Sequence, residues 1–174
     1  LPEDKFLLSV VGNRLTQEIT EEFISMLNDT LEYNTYIVFI GTFDNYEEWC
    51  KKFPNLRTNS NLLQFQEHLY DVMKLFDLSV NPGRVGGAHG SWYSMMSSIP
   101  IVTLNFGDVH ILSKGKFSTI NLDDMKQSII KYTLDKSFYQ EQSKLSLEIF
   151  LENTSVQNEI NDLLLNIYNN LFFR

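Results

Sequence analysis

Cysteine occurs once, at Cys50, and histidine three times, among 174 residues. A lone cysteine excludes an internal disulfide framework and fits a reducing compartment. The three histidines, His68, His89 and His110, do not show the ligand spacing of a zinc site, so no metal is expected. No apolar run approaches the roughly 20 residues that a membrane-spanning helix needs. Basic residues number 14 against 22 acidic ones, for a net charge of -8 without any Lys/Arg-rich run. That balance excludes a nucleic-acid footprint. Leu1-Pro2-Glu3-Asp4 opens acidic and polar, unlike a secretory signal, and the expectation is a cytoplasmic protein. Its abrupt passage into the apolar run Phe6–Val11 reads as a linker end followed by a domain, so the sequence is expected to be part of a longer protein.

Glycine is also scarce, with 8 residues in the chain, yet Gly83, Gly86, Gly87 and Gly90 fall together. They lie within Asp77–Leu104, which reads as strand, glycine loop, helix, strand. Asp77–Asn81 is a short, partly apolar run closed by Pro82, as expected of a buried strand meeting a breaker. From about Ser91, Trp92, Met95 and Met96 recur at helical spacing. Ile99–Leu104 is the next strand, with Pro100 at its start. A helix that begins straight after a strand and a glycine loop points unsatisfied N–H groups, and the positive end of its dipole, above the sheet. Those groups favour an anion, phosphate above all.

The flanking chain repeats this alternation. Phe6–Val11, ended by Gly12, has the continuous apolar character of a parallel strand covered on both faces. Ile19, Phe23, Met26, Leu27 and Leu31 then mark one face of a helix, which Thr16 or Thr20 could cap. Tyr36–Ile40, ended by Gly41, is a second such strand. Asn45–Phe53 reads as a short helix closed by Pro54, with Trp49 and Phe53 as packing residues and Cys50 as a small buried group. Asn61–Phe65 reads as a third strand, linked by Gln66-Glu67-His68 to a helix that turns Leu69, Val72, Met73 and Phe76 inward. Phe117–Ile120 adds a short strand. The remainder is expected to be helical: Leu122, Met125, Ile129 and Ile130 define one helix, and the capping patterns Ser137-x-x-Gln140 and Thr154-x-x-Gln157 open two more. Strands alternating with helices predict a single α/β domain over 1–174, with a doubly wound, mostly parallel Rossmann-like sheet. Right-handed crossovers would gather Arg14, the Leu63–Gln66 turn, the glycine loop and the Asn105–His110 loop at one sheet edge.

The glycine segment, VNPGRVGGAHGSWYSMMSSIPIVTL, resembles the donor-binding loop and helix of GT-B glycosyltransferases. Asn81-Pro82 is similar to the family's strand end, Gly86-Gly87 and Gly90 to its loop, and Ser98-Ile99-Pro100-Ile101-Val102 to the Gly-x-Pro-Val-Val that follows. Tyr93-Ser94-Met95 stands where Glu-Ala-Met is usual, and Val85 stands eight residues earlier, where a second Glu is usual. The paired glutamates of many retaining members are therefore absent.

The resemblance implies a nucleotide-sugar-binding domain, one half of a GT-B fold. It implies a diphosphate held by Arg14 and by the Gly86–Ser91 segment (Gly86, Gly87, Ala88, His89, Gly90 and Ser91). It implies base contacts from Gln64, Phe65 and Gln66, a UDP-sugar rather than a GDP-sugar as donor, and no cofactor. In that family the acceptor site, and often the base, lie on an N-terminal domain, here missing. Val156, Ile160, Leu163, Leu164, Ile167 and Leu171 form the apolar stripe of a terminal helix over 154–174 that is expected to pack against that domain. The alternative is a GT-B-like module without catalysis, serving protein assembly or secretion, which the missing glutamates favour.

Overall fold

The computed structural model describes residues 1–155. Its first strand, β1 (Phe6–Gly12), leads through a one-turn helix α1 (Leu15–Glu18) into α2 (Glu21–Thr30). The cap of α2 is Thr20, whose Oγ1 accepts from the Phe23 N–H at 3.3 Å. Then follow β2 (Thr35–Gly41), α3 (Tyr46–Lys52), α4 (Pro54–Asn59), β3 (Ser60–Leu63) and α5 (Leu69–Met73). The glycine region supplies β4 (Leu78–Val80), α6 (His89–Met96) and β5 (Ile101–Leu104). The chain continues through α7 (Gly107–Leu112), β6 (Ser118–Thr119), α8 (Leu122–Leu134) and α9 (Lys136–Asn153).

The strands form one parallel sheet in the order β3-β2-β1-β4-β5-β6. Progress along the chain runs outward from β1 to β3, then jumps back to β4 on the other side of β1. The gap between β1 and β4 is the topological switch point, where the crossovers diverge to opposite faces and leave a crevice at the carboxyl ends of the strands. Asp77 fastens the opposite end of this pair, its Oδ2 accepting from the Leu7 N–H at 2.7 Å.

The two-residue period of a strand divides the core. Leu8, Val10, Ile37, Phe39, Leu78 and Val80 face Phe23, Ile24, Leu27, Met125 and Ile129 of α2 and α8. Val38 and Ile40 pack with Met73 and Phe76 on the other face. Toward the β5 edge, Met95 and Ile101 meet Val109, Phe117 and Ile149. Because both faces are covered, the central strands read as unbroken apolar runs rather than alternating ones.

Several boundaries differ from expectation. Pro54 opens α4 instead of only closing α3, because the first helical position has no use for an N–H. The third strand is Ser60–Leu63, leaving Gln64 and Phe65 in the loop. The glycine-region helix starts at His89, two residues before Ser91, and Met96 faces outward. Residues 107–112 form a helical turn within what reads as a loop. Asp135, not Ser137, caps α9, its Oδ1 accepting from the Phe138 N–H at 2.9 Å. Thr154 closes that helix rather than opening another, and the terminal helix expected over 154–174 lies, from residue 156 on, outside the described residues.

Candidate functional site

A cavity of about 380 Å³ opens at the carboxyl edge between β1 and β4, the switch point of the sheet. Its walls come from the end of β1 with α1 (Val11, Gly12, Asn13, Arg14, Glu18), the β3–α5 turn (Phe65, Gln66, Glu67, Leu69), and the glycine loop with α6 (Arg84, Gly87, His89, Tyr93). A larger open hollow of about 590 Å³ lies between α2 and α8, lined by Glu21, Glu22, Asp29 and Asp123. No strand end contributes to it, and its carboxylates would repel an anion. The switch-point cavity is therefore the candidate site.

Both arms of the cavity are shaped by glycines. Gly87 has φ +86°, a conformation that L side chains rarely adopt, and a Cβ there would meet the Arg84 guanidinium at 3.1 Å. At the end of β1, a Cβ on Gly12 would fall 2.4 Å from Arg84 Nη1 and 2.7 Å from Leu15 Cδ2. The strand can end beside the glycine loop only because that position has no side chain.

The centre of this packing is Arg84, whose side chain is 9% exposed. Its Nη1 donates to Glu18 Oε2 at 2.7 Å, its Nη2 to the Val11 carbonyl at 2.6 Å and the Gly87 carbonyl at 3.3 Å, and its Nε to Asn81 Oδ1 at 3.1 Å. Asn81 is itself buried, donating from Nδ2 to Thr103 Oγ1 at 3.1 Å. Glu18, 12% exposed, also receives Arg14 at 3.4 Å, but the Arg14 side chain is 73% exposed and reaches into the solvent at the cavity mouth. Two guanidinium groups thus share one carboxylate, and with Glu67 also on the wall the side-chain charges of the cavity balance.

A positive bias comes instead from the start of α6. Its cap residue, Ala88, has no side-chain cap bond, and the first turn carries no acidic residue. Among the described residues, the amides of Ala88, His89, Gly90 and Ser91 donate to no protein acceptor. A helix start in this condition presents unsatisfied donors and a partial positive charge of about half an electron. It can receive an anion without any rearrangement of the backbone.

Of the residues expected at a site, the structure places Arg14, Phe65, Gln66, Gly87 and His89 on the cavity wall. Gly86 and Ala88 belong to the adjoining loop, while Gly90 and Ser91 are buried in the first turn of α6, so that only their amides are relevant. Gln64 is not brought in: it lines a separate hollow beside Phe43 and Tyr46. The Asn105–His110 segment also lies apart from the cavity wall, and His110 Nδ1 lies 2.7 Å from Ser118 Oγ, joining α7 to β6. Tyr93 sits on the cavity wall with its ring 5.9 Å from that of Tyr70.

Sequence reasoning missed Arg84 and Glu18. The available signal was local: Arg84 is the one charged residue between Asn81 and Gly90, and Glu18 follows Arg14 by one helical turn.

No family model matches this sequence, and no curated protein matches it. Solved structures do. WaaG, a glycosyltransferase involved in lipopolysaccharide biosynthesis, superposes with a TM-score of 0.74 at 15% identity, over 95% of this chain and 47% of its own. HepE of Anabaena, solved in complex with UDP, gives 0.73 at 14% identity, over 94% of this chain and 49% of its own. The catalytic domain of the cholesterol-α-glucosyltransferase from Helicobacter pylori gives 0.69 at 13% identity, over 86% of this chain and 99% of that domain. This chain spans about half the length of the first two. Its fold is Rossmann-like and superposes on one half of these two-domain GT-B structures.

Proposed function

We propose, from this GT-B half-fold, that the chain is the nucleotide-sugar-binding domain of a glycosyltransferase that takes a sugar from a nucleotide diphosphate. The observation that carries the reading is that Arg14, Gly87 and His89 line one cavity at the switch point, beside a helix start whose first amides have no protein acceptor among the described residues. The complex of HepE with UDP supports a uridine diphosphate sugar as donor.

In this reading the amides of residues 88–91 and the Arg14 guanidinium receive the diphosphate. Charge on the phosphates grows as the bond to the anomeric carbon breaks, and donors fixed in place before the reaction stabilise the departing nucleotide diphosphate. A charge-assisted hydrogen bond contributes about 1.5–3 kcal/mol, and a helix terminus up to about 2 kcal/mol. Two such bonds and the dipole give roughly 5–8 kcal/mol before the costs of association, which corresponds to millimolar to micromolar donor affinity. His89, exposed at the first position of α6, adds charge when protonated. Phe65 offers an apolar ring, 74% exposed, on the opposite wall, suited to the face of a base together with Gln66.

The acceptor and the general base belong, on this proposal, to an N-terminal domain of the same cytoplasmic protein. The chain alone then binds donor and transfers no sugar. Calorimetric titration with UDP, GDP and their sugars tests the reading; uridine nucleotides should give heat, and no heat from any of these ligands would overturn it.

A second reading is favoured by Val85, 73% exposed on the glycine loop, and by Tyr93 on the cavity wall, both at positions where a glutamate is usual in the family. It is a non-catalytic module for protein assembly or secretion. Such a module would bind no nucleotide and would self-associate on a sizing column.

A further inference from the structure

Arg84 lines the same cavity as Arg14, yet its surroundings differ in kind. Arg14 is mostly in solvent and meets one carboxylate at 3.4 Å, whereas Arg84 is nearly enclosed. Four of the five N–H donors of a guanidinium are committed in Arg84 to protein acceptors. Those acceptors come from four places: the end of β1, helix α1, the residue after β4, and the glycine loop itself. The bond to Gly87 reaches the loop just before the cap of α6, and the bonds to Val11 and Glu18 fix it relative to the neighbouring strand. The Asp108 N–H, donating to the Val85 carbonyl at 2.8 Å, holds the outer side of the same loop.

We propose that Arg84 is a positioning residue. Its guanidinium staples the glycine loop to β1, α1 and β4, so that the α6 amides point into the cavity, and it neutralises Glu18, which would otherwise oppose an anion there. Arg84 does not itself hold the ligand; that role stays with Arg14 and the amides. The link to ligand binding rests on the function proposed above, but the ordering of the loop does not.

A lysine at position 84 separates geometry from charge. It keeps the positive charge but has a compact ammonium in place of the planar fork, and cannot reach four separate acceptors. The test is made on the 174-residue chain with Arg84→Lys and Glu18→Gln, by backbone 15N relaxation and by titration with UDP at two salt concentrations. In the parent chain the amides of residues 85–91 should have order parameters near those of a rigid backbone, about 0.85, and in R84K they should fall below about 0.6 while those of β2 do not change. UDP affinity should fall roughly tenfold in R84K, with its salt dependence unchanged, because the number of ion contacts to the ligand is the same. An R84K loop as ordered as the parent overturns the proposal, and so does an ordered loop combined with lost UDP binding, which would make Arg84 a direct ligand. Should R84K fail to fold, E18Q decides: removal of one charge-assisted bond should lower order in residues 85–91 alone, and no local change there overturns the proposal. Absence of UDP binding by the parent chain would refute the proposed function, and the relaxation result would still decide the role of Arg84.

Discussion

Replacing Arg14 by Ala isolates the electrostatic part of the site from the fold. Folding stability should change little, because the Arg14–Glu18 pair is a 3.4 Å contact with a side chain 73% in solvent. Such pairs contribute about 0–1 kcal/mol. In a chain of this size 1 kcal/mol corresponds to about 2–4 °C in Tm, so the melting midpoint should shift by no more than that. Binding should change more. A charge-assisted hydrogen bond to phosphate contributes about 1.5–3 kcal/mol, from which the lost contact with Glu18, about 0–1 kcal/mol, is subtracted. The net of roughly 0.5–3 kcal/mol predicts UDP binding about 2- to 150-fold weaker. The assay is calorimetry with UDP and with uridine, each at low and high salt. Uridine has no diphosphate and should bind parent and R14A alike. The difference for UDP should shrink as salt rises and the Debye length falls from about 10 Å toward 3 Å. Equal UDP affinity for both proteins would remove Arg14 from the site, and an equal loss for uridine would mean that the substitution disturbs the cavity rather than its charge.

Gly87→Ala should cost about 1–3 kcal/mol of stability and weaken UDP, since alanine must adopt φ +86° and press on the Arg84 guanidinium; an unchanged denaturation midpoint would contradict this. Phe39→Ala removes a fully buried ring that lies 5.0 Å from Phe43 and 5.8 Å from Tyr46, and chemical denaturation should show a loss of about 3–5 kcal/mol. Burial raises the Asp77 carboxyl above its usual 3.8, against a smaller lowering by the Leu7 N–H. A group raised on folding stabilises fully below its unfolded value and loses that contribution as pH climbs through the folded value, so ionised Asp77 opposes folding at neutral pH. The Tm of Asp77→Asn relative to the parent should therefore rise between pH 3 and pH 7, and a flat or falling difference would refute the assignment.

The strands were legible because their causes are local. Apolar runs such as Phe6–Val11 and Tyr36–Ile40, each ended by a glycine, have few other stable uses than parallel strands covered on both faces. Helix boundaries were less legible. Pro54 carries the same residue signal whether it closes one helix or opens the next, and only the burial of Leu56, on the inner face of α4, decides between them. The carboxyl-edge cavity was half legible: the topology predicted which loops converge, but not that Gln64 would turn away while Phe65 and Gln66 turn in. A loop's side chains point where the turn directs them, and strand periodicity ends one or two residues earlier.

What the sequence determined by itself is the alternation of buried strands and amphipathic helices, and the glycine-rich passage into α6 that leaves amides unpaired. Both follow from side-chain volume and polarity read over a few neighbours. What only the tertiary structure decided is the division of labour between the two arginines. Arg84 binds Glu18 and Val11 across 66 and 73 residues of chain, whereas Arg14 stays at the mouth in solvent. Both are guanidinium groups beside a glycine or an asparagine. Which one is enclosed depends on carbonyls and carboxylates that approach only when the strands pair, and no local pattern encodes that approach.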